Sequence, residues 1–86
     1  MFGRRHDERA PLERALAAAG ALKAGSWASV EALSMLSIEA KGRAEADQLY
    51  QAALDASAGL SDGSWDSVRA LAWLARAQRE LHSTGD

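Results

Sequence analysis

Gly25-Ser26-Trp27-Ala28-Ser29-Val30-Glu31-Ala32-Leu33-Ser34-Met35-Leu36 returns later in the chain as Gly63-Ser64-Trp65-Asp66-Ser67-Val68-Arg69-Ala70-Leu71-Ala72-Trp73-Leu74. The register is constant, and positions 12–36 match positions 50–74 nearly every second place. Upstream, Ala15-Leu16, Ala18 and Leu22 recur as Ala53-Leu54, Ala56 and Leu60. A pattern repeated at this length reads as one helical unit used twice. It speaks of architecture and is silent on which molecule the chain handles.

Each copy carries a helix start. Ser26 is a candidate N-cap, because its hydroxyl can accept from the free N–H groups of the next turn. The helix that follows is expected to run to about Lys41, with Gly42 as its stop. Trp27, Val30, Leu33, Ser34 and Ser37 share one stripe, and Leu36 lies beside it. The repeat predicts the same stripe on a helix opening at Ser64: Trp65, Val68, Leu71, Ala72 and Ala75. That last helix has a second apolar face in Ala70, Trp73, Leu74, Ala77 and Leu81. Two faces mean cover on two sides, or one side awaiting a partner.

Two further helices complete the pattern. Pro11 suits a first helical turn, where its missing N–H costs nothing. Leu12, Ala15, Leu16, Ala19 and Leu22 then share one helical face, and Gly25 is expected to end it. Another helix is expected from about Arg43, burying Ala46, Leu49, Tyr50, Ala53 and Ser57. The turn-forming stretch 58–63 follows, with Leu60 plugging its end. The expectation is an all-α domain over 11–82, four antiparallel helices as two tandem α-hairpins. A flexible arm (1–10) and a tail (83–86) flank it.

Composition agrees. Alanine is the most frequent residue and leucine the next, against a single Pro, so helix formers dominate. At 86 residues the core is small, and without cysteine no disulfide can staple it. Self-association or very regular helix packing remain as sources of stability. The net charge of -2 argues against a nucleic-acid surface, which calls for a basic excess. No apolar run reaches the ~18 residues of a membrane span. The default is a cytoplasmic protein with no membrane partner.

Gly42 through Leu54, with Ala46-x3-Tyr50-x2-Ala53-Leu54, resembles the turn and second helix of the tetratricopeptide (TPR) repeat. That family stacks helix–turn–helix units of about 34 residues. Val30-x2-Leu33-Ser34 and Val68-x2-Leu71-Ala72 would then be two first helices. Valine stands where the family has an aromatic, no proline closes a unit, and HEAT-like hairpins satisfy much of the same pattern. The resemblance implies half a unit, one whole unit and another half. Fewer than three whole repeats is below what usually makes a stable array, so the helices close into a bundle or two chains stack. Stacking, as a homodimer or other homo-oligomer, is the expectation.

The candidate site residues divide in two. Trp27, Val30, Leu33, Trp65, Val68 and Leu71 are expected in the repeat core. The two tryptophans would plug the hairpin ends with each indole N–H on a carbonyl or water; the competing reading makes them exposed peptide anchors. Met35 and its repeat partner Trp73 lie off that stripe, and with Tyr50 they are the candidate interaction surface. His6 and His82 sit near opposite ends, and neither belongs to a rigid ligand set or triad. Arg4, Arg5 and Arg9 alternate with Asp7 and Glu8, as a solvated arm does. There is no phosphate loop, Glu-x-x-His pair or nucleophile elbow.

These readings make the chain a non-catalytic interaction or self-assembly module with no cofactor and no metal. The alternatives are a small-ligand or regulatory helical bundle, and a DNA-associated regulator using the arginine arm.

Overall fold

The two Gly-Ser-Trp turns start two helices through the same hydrogen bonds. Ser29 N–H donates to the Ser26 hydroxyl oxygen (3.2 Å), and Ser26 N–H donates to the Ser29 hydroxyl oxygen (3.1 Å). In the second copy, Ser67 N–H donates to Ser64 Oγ (3.1 Å) and Ser64 N–H to Ser67 Oγ (3.2 Å). Each pair satisfies two donors that a helix start would otherwise leave open. Ser67 Oγ also donates to the Asp62 carbonyl (2.7 Å), tying the cap to the preceding loop, and Ser67 is fully buried.

The computed structural model describes residues 10–82, and the molecule is all-α. Its helices are α1 (Pro11–Ala21), α2 (Trp27–Glu39), α3 (Glu45–Ala58) and α4 (Trp65–His82). The arm over 1–9, with His6 and its arginines, and the tail over 83–86 lie outside the described residues. His82 closes α4.

The helix boundaries differ from the sequence expectation at the ends of α1 and α2 and at the start of α3, which opens at Glu45 rather than Arg43. Leu22 is extended (φ -101, ψ 152), so α1 stops at Ala21 rather than Gly25. The link to the extended Ser26 cap (φ -142, ψ 164) takes up the residues between. α2 ends at Glu39, and Ala40–Ala44 turn the chain around Gly42 (φ +91), a backbone state that glycine adopts without a Cβ penalty. Lys41 is thus outside the helix, and its ammonium lies 3.6 Å from Glu80.

α2 is the central element. It packs most extensively on α3 and α4 and more lightly on α1. Val30 and Leu33 of α2 meet Ala53 of α3 and Ala70 and Leu74 of α4 in one buried cluster. Small residues let these helices approach: Ala53, Ala70 and Ala77 are all at 0 % exposure. Ser34 and Ser37 are buried too, each with its hydroxyl on a carbonyl of its own helix: Val30 O at 2.8 Å and Ser34 O at 2.7 Å. Buried hydroxyls of this kind cost little because they are hydrogen-bonded. Leu60 is half-buried against the cluster, as the plug reading expects.

α1 is attached differently. It has no buried residue. Arg43, in the turn before α3, reaches back to form an ion pair and hydrogen bond with Glu13. That hydrogen bond, and then the carboxylate charge, raise the Arg43 pKa further above neutrality.

Candidate interaction site

α1 and α2 splay apart along one side and leave an apolar groove of about 490 Å³. Ala15, Ala18 and Leu22 line it from the α1 side, and Ala32, Met35 and Leu36 from α2. Lys23, Ser29 and Glu39 supply polar atoms at its margins. Leu22 is 73 % exposed and Met35 41 % exposed, so water covers apolar surface that a folded chain usually buries. Leu22 is expected on the apolar face of α1; it lies past the helix end in extended backbone and is exposed.

The second surface is on α4. Two residues of the stripe expected in the core face outward instead: Trp65 is 84 % exposed and Val68 51 %, while Leu71 is half-buried and packed against the core cluster. The reason is position. α2 has neighbours on several sides, whereas among the described residues α4 packs on α2 and α3 and turns its other apolar face, Ala70, Leu74 and Ala77, to them. Trp27 is packed against the core cluster, and its indole N–H donates to the Ser61 carbonyl (2.9 Å). Val30 and Leu33 are buried. Trp65, at the equivalent place, has no helix in front of it among the described residues.

The three expected surface residues fall in different places. Met35 lines the α1/α2 groove. Trp73 is half-buried in a cleft on α4 with Arg69, Arg76 and Arg79, and the Arg76 guanidinium carbon stands 5.7 Å from its ring centre. Tyr50 rests against His82, ring centres 4.9 Å apart and tilted by 49°, with Asp47 Oδ1 3.7 Å from the imidazole. Sequence reasoning put Ala15, Leu22 and Leu36 on or beside helix stripes and Ala32 in the repeat. It did not see that all four face an open groove. The available signal was that each is identical to its counterpart in the second copy.

Equivalent positions also touch. Glu31 of α2 and Arg69 of α4, which share one place in the repeat, pair at 3.1 Å. Lys41, in the turn after α2, lies 3.6 Å from Glu80 near the far end of α4. Among the described residues, no group of three His, Asp or Glu side chains is placed to hold a metal ion. In the same residues no helix is long and apolar enough to cross a membrane. No family model matches the chain, and no curated protein or solved structure shows significant similarity to it.

Proposed function

We propose that this chain is a non-catalytic protein-binding module whose binding surface is the α1/α2 groove. The supporting observation is the groove itself: about 490 Å³ of open space walled by alanine, leucine and methionine beside a leucine that is 73 % exposed. An amphipathic helix docks into such a groove with apolar anchors at helical spacing. Methionine suits the role because its flexible thioether adapts to different anchors. In this reading the helices form a short repeat of the tetratricopeptide-like kind, cytoplasmic, with proteins rather than nucleic acid as partners.

A photo-crosslinking residue placed at Ala32 tests it. Adducts of discrete polypeptide mass are expected there and not from a control at Asp55, which is exposed on α3. Absence of any polypeptide adduct at position 32 removes the reading.

The size of the groove also supports a second reading, an apolar small ligand, since ligand sites span roughly 300–1,000 Å³. A small-molecule panel that raises the melting temperature and shifts tryptophan emission would favour that reading instead.

A further inference from the structure

The core of this chain is an interface between two sets of residues, and the sequence contains a second copy of each set. On one side Val30 and Leu33, with Trp27 beside them, project from α2. On the other Ala53, Ala70 and Leu74 receive them from α3 and α4. Carried into the second copy, the projecting set becomes Trp65, Val68 and Leu71, identical in type. Carried into the first, the receiving set becomes Ala15, Ala32 and Leu36, again identical. In the second projecting set, Trp65 (84 % exposed) and Val68 (51 %) face outward on α4, and Leu71 is half-buried at the edge of the chain's own core. The second receiving set lines the open α1/α2 groove.

We infer that the α4 stripe of one chain seats in the α1/α2 groove of another, head to tail, repeating between chains the contact that α2 makes within the chain. This rests on the reading of the groove as a protein-binding surface and names its occupant as a second copy. Polar groups follow the same register. Trp27 donates to the Ser61 carbonyl; the equivalent acceptor for Trp65 is the carbonyl of Lys23, a groove residue, in the next copy. Arg69, 64 % exposed, meets Glu31 of its own chain and would face Glu31 of the next, extending an alternating row of charges. The contact is heterologous: each copy uses one surface to give and another to receive. Such contacts make rings or open stacks rather than two-fold dimers.

Light scattering over a dilution series is the first experiment. Mass rising with concentration through dimer to larger species is expected. A mass that stays monomeric to about 1 mM overturns the inference. Val68→Glu spoils the stripe and Ala32→Glu the groove, and both positions are exposed. Each variant alone should be monomeric. Their equimolar mixture should form a dimer and nothing larger, since one intact stripe then meets one intact groove. Association that survives Ala32→Glu would mean a two-fold contact and would also overturn it.

Should a glutamate variant lose its helical circular dichroism, cysteine variants decide, because the chain has no cysteine of its own. Val68→Cys mixed with Ala32→Cys should form a disulfide, with neither doing so alone. Self-linking of Val68→Cys is the opposite outcome. The two readings also fail separately. A monomeric chain that still cross-links from position 32 to a different polypeptide keeps the binding module and loses self-pairing. No polypeptide adduct loses both.

Discussion

Val30 and Val68 are the same residue at the same place in the repeat, yet one is buried and the other is 51 % exposed. Truncating each to alanine isolates what the surroundings contribute. Val30→Ala removes buried methyl groups and should cost about 1.5–2 kcal/mol in chemical denaturation. Val68→Ala, measured at micromolar dilution, should stay within roughly 0.5 kcal/mol of the parent. The tryptophans divide in the same way. Trp27→Phe leaves the Ser61 carbonyl without its indole donor and should cost about 1 kcal/mol. Trp65→Phe should leave stability unchanged at that dilution. It should also shift the mean tryptophan emission to shorter wavelength, because the most exposed indole has gone. Equal losses at Trp27 and Trp65 would show that both indoles are packed in solution.

At the scale of the element, α1 stands apart. It is 11 residues long with no buried side chain, shorter than the ~12–15 residues at which isolated helices become even marginal in water. Among the described contacts, it packs lightly on α2, rests Ala19 against the core cluster and pairs through Glu13 with Arg43, an exposed pair that water screens. Hydrogen exchange should therefore be fastest in α1 and slowest in α2, whose two buried serines and core valine sit under α3 and α4. Gly20 lies in α1 with open space where a Cβ would go. Gly20→Ala should slow α1 exchange and stabilise the helix by roughly 1 kcal/mol. Gly42→Ala has as much room but a φ of +91, so it should instead destabilise by about 1–2 kcal/mol. Protection in α1 equal to that in α2 would contradict the loose attachment.

At the scale of the molecule, the core is small and rests on alanines, so little stability is held in reserve. Covering the α4 stripe and the groove would add buried apolar area without changing the fold. A ligand that binds the folded state raises apparent stability by mass action, and a second copy counts as a ligand. The melting temperature should accordingly rise with chain concentration, and that rise should vanish in Val68→Glu. A melting temperature independent of concentration in the parent would show that the two surfaces are not covered by one another.

Much of the architecture could be read before any coordinates. Alanine and leucine content, glycine at the turns and serine at the helix starts specify local states, and local preference acts within a few residues. The helices and the serine cap at Ser26 were legible for that reason. Which apolar stripe is buried was not. Trp27 and Trp65, or Leu22 and Leu60, hold equivalent places in the repeat, and no local signal separates them. Burial depends on what lies in front of a residue. α2 has α3 and α4 across its stripe, whereas α4 has no further helix among the described residues across its own. The sequence by itself determined four helices and a duplicated surface; the tertiary structure decided which copy of that surface is spent inside the chain and which is left open.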